Sequence, residues 1–414
     1  MNFLKSNIYS GTAVLSRLLG LLILNKILAI TIGPSGYAIV GQFQNFIQLS
    51  TTLSSVGINN GVVKYTAEWS DSNQQQVSLW STSIYMTFVS SIAVSLVIFS
   101  YSQKIALQLH QDISDATVKL LAISLVFIAM NFLILSILNG QRALGKYALL
   151  IVTNSVISVI FVTIGAKNWG VNGALNALSI FQIFGFFVGI LLLKNANWFR
   201  FDYRAFNLTK VMKLFNFSLM AIVTVFCMPL VLILIRTLLV KDLGASSAGI
   251  WEGMWRLSSA MMMVFTSILS VYYLPRFSEL NKSDDLRREI KKCIKYIAPI
   301  ILIILLIVFY CKTRIIILLF TKDFLEMSQL FMAQLVGDFF KFFGWLFGYL
   351  LIAKAQVFRF ISLEIIFSIM LYLLTVYFVD RVGLKGTSIA YATNNLLYST
   401  AVILSCYRLI RKEK

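Results

Sequence analysis

Apolar residues along this chain fall in repeated runs of about twenty, separated by short polar breaks. At about 1.5 Å of rise per residue, a helix of that length crosses a hydrocarbon layer of about 30 Å. Hydropathy divides the chain into twelve such segments, with approximate limits 8–31, 36–59, 80–101, 116–138, 147–165, 171–193, 214–238, 247–272, 293–311, 328–352, 357–379 and 384–407. The pattern therefore predicts an all-α polytopic membrane protein of about 12 transmembrane helices. The stretch from Lys312 to Met327 is amphipathic and reads as a helix lying at the interface before the tenth segment. The first apolar run is too long for the core of a cleaved signal, and no small-residue cleavage site follows it.

Composition sharpens this reading. Only 13% of the 414 residues are charged and 58% are hydrophobic, which excludes both a soluble two-domain enzyme and a disordered chain. The four cysteines (Cys227, Cys293, Cys311, Cys406) are scattered and read as apolar packers, with neither a disulfide framework nor a metal site expected. The single histidine, His110, falls in a short loop, so catalysis or metal ligation built on histidine is not expected. In a bilayer protein the net charge of +19 reads as a topology signal and an attraction to anionic lipid, with no nucleic acid as partner.

Loop charges orient the chain. Loops on the side of the N-terminus carry 22 Lys and Arg and those on the other side nine, so both termini are expected in the cytoplasm. The longest polar connections, 194–213 and 273–292, lie on that basic side. The first divides the chain into an N-terminal six-helix lobe (1–193), a cytoplasmic linker (194–213) and a C-terminal six-helix lobe (214–414) around a central cavity. A faint repeat agrees with the division. Lys26–Glu68 aligns with Arg236–Glu279 at an offset near 211, bringing Gly41 onto Gly253 and Phe43 onto Trp255. Two parallel copies are an architecture of transporters.

Five basic residues (Arg17, Lys26, Arg236, Arg256, Lys341) and three acids (Glu252, Asp338, Glu364) fall within the segments. A charge facing lipid at mid-depth costs at least about 2.5–3.5 kcal/mol, so these side chains are expected to face protein or water. Lys26 and Arg236 lie near helix ends and are expected to snorkel. Arg17, Arg256 and Lys341 lie deeper. Glu252 and Arg256 are spaced i, i+4 and Asp338 and Lys341 i, i+3, so each couple is either a self-neutralised pair or a cation open to a ligand anion beside an acid that exchanges protons or sodium. Glu364 has no partner on its own helix and is either protonated or paired across helices.

The second segment carries a polar stripe, Gln44, Asn45, Gln48 and Thr52, which either lines an interior space or joins helices. With Asn25, Trp251 and Trp255 it suits sugars, amides meeting hydroxyls and indoles meeting rings. A cationic, amide-rich and aromatic cavity fits an amphiphilic anion, a phosphorylated headgroup carrying sugars.

At KILAITIGPSG (26–36), INNGVVKYTAEW (58–69), GIWEGMWRLS (249–258), VYYLPRFSEL (271–280) and QLVGDFFKFFGWLFGYLLIAKA (334–355) the sequence resembles the Wzx-type flippases of lipid-linked oligosaccharides, within the multidrug/oligosaccharidyl-lipid/polysaccharide exporter superfamily. SRLLG (16–20) is similar to the first-helix arginine motif of the related lipid II flippases. The resemblance implies a two-lobed bundle in the bacterial inner membrane that moves undecaprenyl-pyrophosphate-linked oligosaccharide from the cytoplasmic to the periplasmic leaflet by alternating access. It implies that Arg17, Arg256, Lys341 and Lys64 meet the pyrophosphate, with Lys26 a further candidate from the sequence, and that Glu252, Asp338 or Glu364 couples the cycle to protons or sodium. No cofactor beyond that gradient is expected, and a polymerase and chain-length regulator of the same pathway are the implied partners. Common-antigen members of the family carry small residues where this chain has Trp255–Arg256, which points to an O-antigen-like repeat unit over the enterobacterial common antigen. The rival readings are a multidrug exporter of the same superfamily, whose cationic substrates want an acidic cavity, and a membrane polymerase or glycosyltransferase, which the short outer loops and the lack of D-x-D disfavour.

Overall fold

A computed structural model describes residues 3–280, 282–354 and 356–410. Among these residues the chain is helical throughout, without a strand. The membrane-length elements are α1 (Phe3–Ser54), α3 (Asn73–Ser100), α5 (Asp115–Gly140), α6 (Leu144–Lys194), α7 (Leu208–Ile268), α9 (Ser283–Tyr310), α11 (Phe331–Ala353), α12 (Val357–Val382) and α13 (Lys385–Ile410). Four short helices join them: α2 (Asn59–Glu68), α4 (Ser102–Leu109), α8 (Leu274–Glu279) and α10 (Lys312–Leu319). Of the basic loop residues, Arg411, Lys412 and Lys414 lie outside the described residues.

Three of the long runs are hairpins. Arg17 and Gln44 line one cavity, Asn154 lies against Gly185, and Arg236 pairs with Glu252. Along straight helices those couples would be separated by about 40, 46 and 24 Å. Each chain reversal turns on a glycine at positive φ: Gly33 at 64°, Gly170 at 59° and Gly244 at 87°. A side chain with a Cβ is strained in that region, which is why the turn falls on glycine. Counting both arms of each hairpin, twelve helical segments coincide with the twelve apolar runs of the sequence. The reversals also carry the internal repeat: Gly33 and Gly244 are 211 positions apart, and Gly170 and Gly383, both at positive φ, are 213 apart.

The chain divides into two compact units, Met1–Ile32 with Ile39–Leu230, and Gly33–Ala38 with Val231–Lys414. In the first, Trp80 is fully buried in a core with Ile58, Val62, Leu79, Ile137 and Leu138. Its indole donates to Thr66 Oγ1 (3.1 Å), and Gln76 Nε2 donates to the Thr66 carbonyl (2.7 Å) and to Gln141 Oε1 (2.9 Å), fixing α2 to α3 and to the end of α5. In the second, Gly337 and Gly344 of α11 let the rings of Tyr391 and Tyr398 on α13 lie directly on the helix backbone, where a Cβ would collide. Small residues at such contacts let membrane helices approach closely. Large apolar side chains elsewhere point outward, among them Ile300, Ile303 and Ile307 of α9, as a lipid-facing surface requires. This is a multi-pass membrane protein.

The amphipathic stretch 312–327 departs from expectation. It breaks into α10 and a 3-10 segment, Lys322–Gln329, and its apolar side chains Phe320, Phe324 and Met327 are fully buried in the second unit. Phe320 and Phe324 stack edge-on against Tyr37, at 5.9 and 5.5 Å between centroids. These three side chains pack within the protein, while Ile317, Leu318 and Leu325 of the same stretch remain exposed.

Candidate functional site

In the first unit, two adjoining cavities of about 540 and 420 Å³ share Arg17, Gln44, Asn59, Asn60, Phe132 and Gln182 as lining. Their walls come from both arms of α1, from α2, from α5 and from both arms of α6. The larger adds Asn131, Asn139, Asn154, Ser155 and Ser158; the smaller adds Gln48 and Thr52. Gly185 supplies room for the Asn154 and Asn131 amides, because a Cβ there would run into both. Three carboxamide oxygens of the lining, those of Asn59, Asn131 and Asn154, are buried with no hydrogen-bond partner. Buried amides normally find partners, so these three oxygens are open to a donor.

Arg17 supplies the charge. Its side chain is exposed, and among the described residues no carboxylate lines either cavity. An uncompensated guanidinium amid neutral amides is a receptor for an anion, and its planar fork suits phosphate oxygens. Gln44 and Gln48 stand beside it as the polar stripe requires, and Thr52 donates back to the Gln48 carbonyl at 2.9 Å. The rest of the proposed site does not gather here. Asn25 is buried and Asn45 keeps its amide nitrogen buried, neither among the lining; Lys26 is half-buried further along the same hairpin; Lys64 is exposed on α2 with its ammonium 5.1 Å from the Tyr65 ring.

The second unit holds the remaining deep charges. Glu252 Oε1 accepts from Arg256 Nε at 2.7 Å and its other oxygen accepts from Arg236, with all three side chains buried. Arg256 also lies over the Tyr37 ring at 4.7 Å and Arg236 over Trp251 at 5.6 Å. Asp338 Oδ1 accepts from Ser258 (2.5 Å) and Tyr391 (2.8 Å), while its Oδ2 is buried without a hydrogen bond. Lys341 lies among the rings of Trp345, Trp255 and Tyr391 at 4.9, 5.3 and 5.3 Å. Glu364 Oε1 accepts from Tyr398 at 2.6 Å.

Several expectations change on this geometry. Arg236 does not snorkel: it is 1% exposed, since the reversal at Gly244 brings it onto the Glu252 carboxylate. Arg256 is committed to that same carboxylate and Glu252 to two arginines, so neither offers an open anion or ion site. Asp338 is bonded by two hydroxyls in place of Lys341, whose ammonium is held by aromatic faces. Trp251 is buried, and Trp255 packs edge-on against Tyr391 (5.5 Å). Conversely, sequence reasoning passed over Asn59, Asn60, Asn131, Asn154 and Gln182. The signal was present, since an isolated amide in an apolar run must face protein or water, but formal charges drew the attention.

Polysaccharide biosynthesis proteins match as a family over residues 27–329. Two relatives, from Escherichia coli strain K12 and from Shigella flexneri, each named Lipid III flippase, are 28% identical over 401 residues, covering 96% of this chain and 96% of theirs. The named relatives are flippases, which are transporters in place of enzymes. Among solved structures, a multidrug resistance transporter of the MATE family superposes with a TM-score of 0.82 at 14% identity, covering 95% of this chain and 94% of that one. A transporter of the MOP superfamily from Pyrococcus furiosus gives 0.67 at 13%, covering 96% and 95%. At these identities the structures share the fold alone. The Wzx-type resemblance read from the motifs therefore stands, and the chain belongs to the polysaccharide biosynthesis protein family.

Proposed function

We propose that this protein moves an undecaprenyl-pyrophosphate-linked oligosaccharide, the repeat unit of an O-antigen or of the enterobacterial common antigen, from the cytoplasmic to the periplasmic leaflet of a bacterial inner membrane. The observation that carries this reading is the Arg17 cavity: a cation with no carboxylate in the lining, faced by carboxamide oxygens that lack partners. Arg17 meets the pyrophosphate, whose lost hydration needs a fixed countercharge. The Asn59, Asn131, Asn154, Gln44 and Gln182 amides meet sugar hydroxyls, donors that would satisfy the idle oxygens. The names of the 28%-identical relatives support the class of cargo. The wall lacks the acid that a cationic drug would need, which disfavours multidrug export.

Both termini lie in the cytoplasm, as the 22-to-9 distribution of basic residues favours. The cycle is alternating access reset by inward proton or sodium flux, since a potential of 100 mV supplies about 2.3 kcal/mol per charge. With Glu252 occupied by two arginines, the coupling acids are Asp338 and Glu364. Expression in strains that lack either an O-antigen or a common-antigen flippase tests the reading. Restored surface glycan in one strain, lost with Arg17→Ala at equal membrane abundance, is expected and names the cargo; restoration in neither strain, or full restoration by Arg17→Ala, contradicts the proposal.

A further inference from the structure

Three charged side chains of the second unit, Asp338, Lys341 and Glu364, are held in register by two tyrosines. Tyr391 and Tyr398 of α13 are seven positions apart, and their rings lie on Gly337 and Gly344 of α11, also seven apart. Each tyrosine donates to one acid, Tyr391 to Asp338 Oδ1 and Tyr398 to Glu364 Oε1. Lys341 comes three positions after Asp338 and three before Gly344, about 4.5 Å along the helix axis from each. The ammonium therefore stands between the two acids in depth, and it attracts both. It is held on the rings of Trp345, Trp255 and Tyr391, free to turn to either carboxylate.

The elements packed around this trio are neutral at its level. From α7 come Trp255 and Ser258, the latter donating to Asp338 Oδ1. Arg256 lies two positions from Ser258, on the opposite face of that helix, and is bonded to Glu252. On α9 no charged residue occurs from Tyr296 to Tyr310. Asp338 Oδ2 is buried without a hydrogen bond, which leaves one carboxylate oxygen open.

Two carboxylates against one ammonium leave an excess negative charge, costly in a buried site until one more positive charge arrives. A proton needs a single oxygen. A hard metal cation such as sodium needs a cage of oxygens, whereas the space at Lys341 is walled by aromatic rings and already holds a cation. We infer that the coupling ion is a proton and that Lys341 carries it from Asp338 to Glu364. This rests on the reading of those two acids as the coupling pair. The proton enters on Asp338 Oδ2. The ammonium, drawn to the remaining carboxylate, gives one proton to Glu364 and takes the Asp338 proton in its place. Lys341 ends charged as it began, Asp338 is again a carboxylate, and Glu364 holds the proton for release. With both termini in the cytoplasm, α11 and α13 run inward from the periplasmic side, so the order Asp338, Lys341, Glu364 is the inward direction.

Two measurements on the full-length protein in liposomes test the inference. The first needs no cargo. Infrared difference spectra across a pH step should show protonated-carboxyl bands that Asp338→Asn and Glu364→Gln each remove in part, and sodium added at constant pH should show none. The Glu364 band should also move in Asp338→Asn, where Lys341 faces a single acid, and Asp338→Asn should no longer move it once Lys341→Met is present. The second follows a fluorescent undecaprenyl-diphosphate oligosaccharide. A pH gradient should speed its translocation at least about threefold and a sodium gradient should not. In Lys341→Arg, whose guanidinium keeps the charge and cannot release the proton, the ratio of rates with and without the pH gradient should fall to about one. Sodium-induced carboxyl bands lost in Asp338→Asn, a Glu364 band indifferent to Asp338→Asn, or full acceleration in Lys341→Arg would overturn the inference. Should the wild type move no lipid, the cargo reading fails, and the infrared result alone decides whether Lys341 links the acids.

Discussion

Arg236 and Arg256, on opposite arms of the hairpin at Gly244, are held by the two oxygens of one buried carboxylate, Glu252. Two cations against one anion leave the cluster with a net positive charge, offset by the faces of Trp251 and Tyr37. The arrangement ties the hairpin together at depth, where a helix-to-helix ion pair must be complete to be tolerated.

Removing the shared acid should therefore cost more than removing either base. Glu252→Gln strands two buried guanidinium groups and should destabilise the second unit by about 3–5 kcal/mol, whereas Arg236→Met leaves Glu252 paired with Arg256 and should cost less. Thermal unfolding in detergent ranks the two variants. Equal stability of Glu252→Gln and wild type would show that the carboxylate does not hold the hairpin.

Asp338 offers a different outcome. Its Oδ1 serves Ser258 and Tyr391, and its Oδ2 has no hydrogen bond. Asn at this position keeps the acceptor and the shape. Asp338→Asn should therefore fold and insert normally yet lose the acceleration of transport by an imposed proton or sodium gradient, measured in proteoliposomes. Tyr391→Phe removes one donor and should lower stability by about 0.5–1.5 kcal/mol.

The linker carries a pH signature. Burial, reinforced by the nearby Lys213 ammonium, pulls the Lys210 amine down to about 8 from an ordinary 10.5. Because the folded value lies below the unfolded one, protonated Lys210 opposes docking of the strap at neutral pH. That opposition fades as pH rises from about 8 to 10.5, so strap docking tightens over this window. Nuclear magnetic resonance of 13C-methylated lysines should show one amine, absent in Lys210→Met, titrating near 8. Titration of that signal above 10 would show that the amine is not buried as described.

Much of the fold was legible because a bilayer makes helices of every apolar run. The twelve runs and the hairpin breaks at Gly33, Gly170 and Gly244 follow from hydropathy, and the repeat offset near 211 is the spacing of Gly33 and Gly244. The site was legible only in part. Arg17, Gln44 and Gln48 could be brought together, since burial cost and helical period both concern residues on one hairpin. That Arg236 would reach Glu252 could not be read, because depth along a helix says nothing about which neighbour a side chain meets once the chain reverses. The asparagines of α5 and α6 were hidden for the same reason: a single amide in an apolar run signals an interior face, and only the packed bundle shows that several such faces converge.

In the proposed cycle Arg17 receives the diphosphate of a lipid-linked glycan. The most direct measurement of this is the rate at which purified protein in proteoliposomes carries a fluorescent undecaprenyl-diphosphate oligosaccharide between leaflets, read by quenching of the outer-leaflet label. Wild type should move the lipid, Arg17→Ala should reduce the rate by at least about tenfold, and Arg17→Lys, which keeps the charge without the planar fork, should fall between. Equal rates for Arg17→Ala and wild type would contradict the account.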